Sequence, residues 1–586
     1  MPRLHRSLLA RLHRLTARPV EIWTSPVFRL PLSGAESALH IEPRRVCHVS
    51  TWLLDMAVTL PQDVHLARPA RWESLALVHT DGWLRQIDSP EAQGQVLGVD
   101  PRQIPVDAMV ETWRTAVGAV VDAAGWVREH GGRAAVLLGG FHHAFPDRGG
   151  GFCALNDVAV AVRELRRAGL TGRVLVIDLD AHPPDGIEAC LEDDSDLHIA
   201  SLSAESAWEP LVRADDLRVP RGTQDEGYLA ALDRLLARTP RGAIAFYLAG
   251  ADPLAGDPHG GLAISPEGLA ERDRRVLHHL GATPTVLLPA GGYTPGAWRI
   301  FATTIAIASG ISATPSRQYD PLLRRTLDIT RTLDPNALRG EEDWLSSEDL
   351  ASALGMGPEI PRLLGFYTRP GMEYALHRLG MLAELERMGF SQLRLELQTS
   401  HYPHVVRLLT PLGGREEAVV EIALSRRSFS RWNTLFVDWL SLRDPRAPFS
   451  PDRPRMPGQD TPGLGMMREV VHVLLRMCER LGLDGLSFVP SWYHIAWFSR
   501  HRWTMLDPDD RGLFMALQRH FKDVPLGTAT RLLAGPGIET EHGEVIRWKP
   551  SPMVLGLNPE FQEWLHKDDL RARRVADALA SCMVGP

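Results

Sequence analysis

At 586 residues the chain exceeds what a single hydrophobic core accommodates, which predicts two domains and a connector. Its 64 Lys and Arg against 72 Asp and Glu leave a formal net charge of -8, which excludes a dominant nucleic-acid role because phosphate recognition depends on clustered positive charge. The cysteines Cys47, Cys153, Cys190, Cys478 and Cys582 form no CxxC pair, which argues against a disulfide framework or a thiolate zinc cage and fits a reducing cytoplasm; no apolar run has the length to span a bilayer.

In chain order, residues 1–18 read as a basic leader of arginines, histidines and leucines with no acid, lacking the apolar core and cleavage site of a secretory signal. From 19 to 313 short apolar runs alternate with helical stretches, the pattern of an α/β domain with a parallel sheet. Four runs are each followed by a polar cluster. Ala134–Leu138 leads into Gly139-Gly140-Phe141-His142-His143, and Val174–Ile177 into Asp178-Leu179-Asp180-Ala181-His182. Ala243–Leu248 leads into Gly250-Ala251-Asp252, and Thr285–Leu288 into Ala290-Gly291-Gly292-Tyr293. Ligands of open parallel sheets collect beyond the carboxyl ends of the strands, so these clusters converge if the strands are neighbours. Residues 314–370 read as a connector with helical pieces around Leu322–Leu333 and Ser347–Leu354. From 371 to 586 a separate α+β domain is predicted, with a helix over Met372–Met388, strands near Leu393–Leu397, Val405–Leu409, Ala418–Leu424 and Leu435–Leu440, and a helix from about Gly465 to Leu481.

Asp180, His182 and Asp252 together offer two carboxylates and one imidazole, a set that leaves room on a zinc-like ion for water and a substrate carbonyl. His142 and His143 supply a general-base candidate, and Asp178 and Asp185 flank the ligand motif where each can orient one histidine. Tyr293, in a glycine-rich turn, offers a hydroxyl to a developing oxyanion.

Gly139–Ala144, Gly151-Phe152-Cys153-Ala154-Leu155-Asn156-Asp157, Asp178–His182, Gly250-Ala251-Asp252 with Gly256-Asp257, and Gly291-Gly292-Tyr293 resemble, in order and spacing, the signature set of the zinc-dependent histone deacetylase superfamily. The resemblance covers residues 20 to 313. It implies an arginase/deacetylase fold, hydrolysis of an N-acyl amide on an acylated lysine or acetylated small amine, and Zn2+ held by Asp180, His182 and Asp252. It further implies His143 as general base and acid, His142 as its electrostatic partner, Tyr293 as the carbonyl-polarising group, and Asp178 and Asp185 in support. A structural monovalent cation such as K+ would sit at Asp178 and Ser201. Gly151, Phe152 and Trp208 would line an acyl-lysine tunnel with His259 at its rim, and Arg45 matches an internal-channel arginine.

Two departures bear on substrate choice. Pro183-Pro184 replaces the usual His-Gly after the ligand histidine, stiffening the loop and removing two backbone donors. Ser201-Leu202-Ser203-Ala204 lacks a customary histidine, which predicts a reshaped tunnel rim. Residues 372–530 bear a distant similarity to an acyl-CoA N-acyltransferase (GNAT) domain, carried by Pro462-Gly463-Leu464-Gly465 opening a helix, by Leu483–Leu486 and by Ala496-Trp497-Phe498. Asp460 stands where that family wants Arg or Gln and would repel a pyrophosphate, and Phe498 falls near its usual tyrosine; a binding or structural module is the expectation there. Trp432, Trp439, Trp492, Trp497 and Trp503 are expected in the core. Two rival readings are a two-metal ureohydrolase, suggested by Asp185 beside the ligand motif, and a non-catalytic acyl-ligand or protein-binding scaffold.

Overall fold

The computed structural model describes residues 19–29, 39–340, 361–449 and 454–583 apart from residue 207, and divides the chain into two compact units that change over between Pro321 and Leu322. The leader and the helical piece expected around Ser347–Leu354 lie outside the described residues. The expected connector is shared: its first residues belong with the first unit, and the helix Pro321–Thr330 opens the second.

The first unit is built on eight strands, β1 (Val20–Thr24), β2 (Val64–Leu66), β3 (Arg133–Val136), β4 (Val174–Asp178), β5 (Leu197–Ala204), β6 (Ala214–Val219), β7 (Ile244–Leu248) and β8 (Thr285–Leu288). They form one sheet in the order β2-β1-β3-β8-β7-β4-β5-β6, with every pairing parallel. A parallel sheet covered by its crossover helices buries both faces, so its central strands read as unbroken apolar runs. β4, β7 and β8 are buried at every residue. The four strands that precede the polar clusters, β3, β8, β7 and β4, are consecutive neighbours, so the convergence expected from the sequence is realised.

The helix Val106–His130 contributes an apolar face of Met109, Trp113, Ala116, Val117, Val120, Ala123, Ala124 and Val127, spaced at helical period. Gly118 lets it press on the segment after β2: a β-carbon there would lie 2.0 Å from the carbonyl oxygen of Arg68 and 2.8 Å from the amide of Ala70.

The second unit has its own core, with Leu385, Val419, Leu424, Leu435, Cys478 and Leu486 fully or almost fully buried. Its strands are β9 (Arg394–Gln398), β10 (His404–Leu412), β11 (Arg415–Phe429), β12 (Trp432–Leu442), β13 (Gly485–Phe488), β14 (Thr504–Met505), the small pair β15 (Ile538–Glu539) and β16 (Val545–Ile546), and β17 (Met553–Gly556). The main sheet runs β14-β17-β13-β12-β11-β10-β9, antiparallel except for β12 and β13, which are parallel and joined through the helix Met467–Arg480. This is an α+β unit, as expected. Three details differ from the sequence reading. The single helix expected over Met372–Met388 is two, Arg369–Arg378 and Met381–Arg387, because Gly380 turns the backbone to φ 73°. β10, β11 and β12 outrun their apolar segments, since the ladder continues through exposed Arg415, Glu416 and Arg427. Trp432 is core, but Trp439 is 57% exposed on β12.

Because the obstruction at Gly118 is backbone, Gly118→Ala is expected to destabilise the first unit by about 2–3 kcal/mol in urea denaturation. An unchanged midpoint would mean that the helix does not approach this closely.

Candidate metal centre

The polar clusters are held together by hydrogen bonds that carry the sheet's register past the strand ends. Leu179 N donates to Leu248 O (3.0 Å), Ala249 N to Leu288 O (2.9 Å), Ala251 N to Gly291 O (2.9 Å) and Ala290 N to Gly139 O (3.2 Å). The loops therefore leave the sheet side by side, and their side chains meet in one buried cleft.

Asp180, His182 and Asp252 come together there, with one ligand atom of each within 4.8 Å of the others. His182 Nδ1 lies 3.0 Å from Asp180 Oδ1 and 3.1 Å from Asp252 Oδ2. The outer oxygens are anchored: Gly291 N donates to Asp180 Oδ2 (2.7 Å) and Ala181 N to Asp252 Oδ1 (3.0 Å). Burial, then the Asp180 charge, pushes the Asp252 carboxyl up to about 8. Burial opposes charge on His182, yet its hydrogen bonds to Asp180 and Asp252 raise it to about 11. Two buried carboxylates facing each other across the His182 ring call for a positive charge between them. A divalent cation meets that demand, and the two-oxygen, one-nitrogen donor set fits zinc.

His142 Nδ1 pairs with Asp178 Oδ2 at 2.8 Å, and His143 Nδ1 with Asp185 Oδ1 at 2.7 Å. Both histidines are thus tied from behind, leaving Nε2 as the free nitrogen of each; that of His142 is 3.9 Å from Asp180 Oδ1. Burial works against the His142 cation, but Asp178 and Asp180 outweigh it and raise the imidazole to about 9. His143 goes the other way, lowered to about 4 by burial and by the neighbouring His142 charge, against the pull of Asp185. The rings stand 4.0 Å apart, one held charged and the other neutral.

An aromatic wall surrounds the cleft. Trp208 stacks on His143 at 4.3 Å, Phe152 lies 5.5 Å from Tyr293, and His259 meets Tyr293 edge to face at 4.6 Å. Gly151 has to be glycine: at φ 51° its loop lies on the His143 ring, and a β-carbon would be 2.5 Å from Cδ2. Burial, with Asp180 and Asp252 nearby, raises the Tyr293 phenol well above its ordinary value, so it is an O–H donor. Tyr293 also lines a small cavity with Arg45, Leu97, Met109, Trp113 and Phe141; burial lowers the Arg45 guanidinium. Ser201 pairs in register with Asp178, and the buried hydroxyls of Ser201 and Ser203 have no hydrogen-bond partner. The stretch Ser201–Ala204 is the end of β5, and Ala204 N donates to Ala181 O (3.0 Å). Pro183-Pro184 lead directly into the helix Asp185–Cys190 without displacing Asp185 from His143.

Relatives are found by sequence. Histone deacetylase 8 of Xenopus laevis is 30% identical over 284 residues, which span 85% of that protein and 43% of this chain. The chain belongs to the histone deacetylase family. It is a deacetylase, and residues 40–307 match the histone deacetylase domain. The deacetylase is also 35% identical over 252 residues to an uncharacterized protein of Picosynechococcus, covering 82% of that protein and 41% of this chain, and 32% identical over 251 residues to histone deacetylase 2 of Arabidopsis thaliana, covering 63% of that protein and 39% of this chain.

Several residues that hold the site were given no role from sequence. The Asp157 carboxylate, pushed up to about 6 by burial, accepts from Gly140 N (2.7 Å) and Phe141 N (2.9 Å), which fixes the loop that carries both histidines. Asp257 accepts from the backbone of Tyr293 (2.7 Å), His259 (3.1 Å) and Gly260 (3.2 Å), fixing the tyrosine turn. The motif spacing contains both acids, but nothing local says what they hold.

His79 braces the same loop: Nδ1 donates to Phe145 O (3.0 Å), while Nε2 accepts from Asn156 N (3.0 Å), so the fold needs it neutral. Burial lowers it to about 4. Between that value and its unfolded value of about 6.5 the unfolded chain binds the extra proton, so this stability is complete above the window and is lost as pH falls through it. His79 should cost roughly 2 kcal/mol on going from about pH 7 to about pH 5. Urea titrations at the two pH values should give a smaller acid loss for His79→Phe than for wild type; equal losses would contradict the assignment.

Proposed function

We propose that this deacetylase hydrolyses an N-acyl amide, acetyl first among acyl groups, on an acylated lysine of a peptide or protein or on an acetylated small amine, with one zinc ion held by Asp180, His182 and Asp252. The observation that carries the reading is that these three residues form the one group of three or more His, Cys, Asp or Glu side chains poised to hold a metal among the described residues. A bound zinc ion supplies Lewis acidity toward the substrate carbonyl and a water made nucleophilic near neutral pH.

His143 is neutral near pH 7, so its Nε2 takes the proton of the attacking water and afterwards delivers it to the departing amine. Asp185 holds the ring in the tautomer that leaves Nε2 free. His142, charged and paired with Asp178, offsets negative charge as it builds beside it. Tyr293 donates its hydroxyl to the oxyanion of the tetrahedral intermediate. Phe152 and Trp208 flank the aliphatic stem of the substrate, with Gly151 beneath and His259 at the rim. Arg45 lines the small cavity beside Tyr293, to which this reading assigns the small carboxylate product. The unsatisfied hydroxyl of Ser201, in register with Asp178, supports a structural K+ at that strand end.

A two-metal ureohydrolase would need Asp185 as a ligand, whereas its carboxylate is engaged by His143. The second unit fits a binding module better than an acyl-CoA transferase: Asp460 is paired with Arg455 where a pyrophosphate would need a donor, and Phe498, 66% exposed, has no hydroxyl. Among the described residues no helix is long and apolar enough to cross a membrane.

Asp180→Ala and His182→Ala are expected to lose zinc and activity together. Tyr293→Phe should keep zinc and lower kcat about 10²- to 10³-fold, and His143→Ala about 10²- to 10⁴-fold, on acetyl-lysine peptides or acetylated polyamines. Full turnover by Tyr293→Phe would remove its role, and zinc retained by Asp180→Ala would remove the ligand set.

A further inference from the structure

Beneath the cleft sits a fully buried charged pair that the reaction does not use. Arg272 and Asp273, neighbours on the helix Pro266–Leu280, are 0% exposed. The Asp273 carboxylate accepts from Arg272 Nε (2.9 Å), the Tyr247 hydroxyl on β7 (2.5 Å) and the Thr304 hydroxyl (2.6 Å) on the helix Ala297–Ala308. The far end of the guanidinium points at backbone: one nitrogen, Nη1, donates to Gly250 O at 2.6 Å and to Leu179 O at 3.3 Å.

Those two carbonyls are where β4 and β7 stop being a sheet. The bond from Leu179 N to Leu248 O continues the β4–β7 ladder just past the last strand residue of β4. Beyond it one chain turns off to Asp180 and His182 and the other to Asp252. Leu179 O lies between the paired acid Asp178 and the ligand Asp180, and Gly250 O is two residues before the ligand Asp252. The two segments are pressed so close that a β-carbon on Gly250 would lie 2.7 Å from Cα of Asp180. Burying a guanidinium is costly, and an apolar side chain would fill the same volume more cheaply. Bridging two carbonyls that diverge from a shared ladder is something an apolar side chain cannot do.

We propose that Arg272 is a positioning residue for the metal centre: by bridging Leu179 O and Gly250 O it sets the separation between the loop carrying Asp180 and His182 and the loop carrying Asp252. Asp273, held by Tyr247 and Thr304, fixes the guanidinium in turn. The inference rests on the zinc reading of that ligand set. Groups that orient metal ligands from behind commonly contribute about 10- to 100-fold in metal affinity.

The test is zinc affinity by competition with a chromophoric chelator, together with the visible spectrum of the cobalt-substituted protein, on the full chain. Four proteins are compared with wild type: Asp252→Ala, Arg272→Lys, Asp273→Asn, and the double variant Arg272→Met with Asp273→Asn, which removes the charges as a pair. Circular dichroism of the metal-free proteins reads the fold. The folded double variant should bind zinc about 10- to 100-fold more weakly, with its cobalt bands displaced, and Arg272→Lys should fall between it and wild type because one ammonium cannot serve Asp273 and both carbonyls. Wild-type affinity and unshifted cobalt bands in the double variant would overturn the proposal. Should that variant not fold, the same unchanged affinity and bands in Arg272→Lys would overturn it. Zinc binding by Asp252→Ala equal to wild type would instead overturn the ligand set itself, which keeps the two failures apart.

Discussion

The carboxylates of Asp178, Asp180 and Asp252 are buried in one cleft, and offsetting their mutual repulsion is the constraint around which the first unit is organised. Two unit charges about 4 Å apart repel by roughly 4 kcal/mol even at an effective dielectric constant near 20. Each carboxylate has its own counterweight. Asp178 faces His142, Asp180 receives the backbone of Gly291, and Asp252 receives that of Ala181. What remains between Asp180 and Asp252 is a demand for positive charge beside His182, which the zinc ion proposed for this site would answer. The neutral His143 follows from the same balance, because a charged His142 beside it disfavours a second imidazolium.

The sheet makes this concentration of charge feasible. Four neighbouring parallel strands end at one level, and hydrogen bonds beyond their ends keep the loops in step, so candidate ligands far apart in sequence arrive with little freedom left to lose. The residues proposed to face the substrate come from longer loops strapped to the same frame: Arg218 donates to the carbonyls of Trp208 (2.6 Å) and Glu209 (2.7 Å), and Asp257 holds the turn of Tyr293.

Much of the site was legible in the sequence because buried parallel strands read as unbroken apolar runs and the chemistry follows each run directly. Asp180, His182, Asp252, the histidine pair and Tyr293 all announce themselves in that way. The adjacency of the four strands was not legible, since strand order depends on crossovers that leave no local mark. Asp157, Asp257 and Arg272 were missed for a related reason: each acts on the backbone of another segment, and a lone charged residue in a loop or helix carries no sign of what it holds. In the second unit, apolar patterning located the strands but not their lengths, because solvent-facing ladders continue through charged residues. Aromatic character misplaced Trp439, whose position on the exposed side of β12 is set by register.

The central claim, that this deacetylase holds one zinc ion through two carboxylates and an imidazole, is tested most directly by X-ray absorption at the zinc edge together with metal counting on the purified protein. The account predicts one zinc per chain in a shell of oxygen and nitrogen that includes a single imidazole and no sulfur. Two metals per chain, a thiolate in the shell, or the same shell surviving in Asp252→Ala would contradict it.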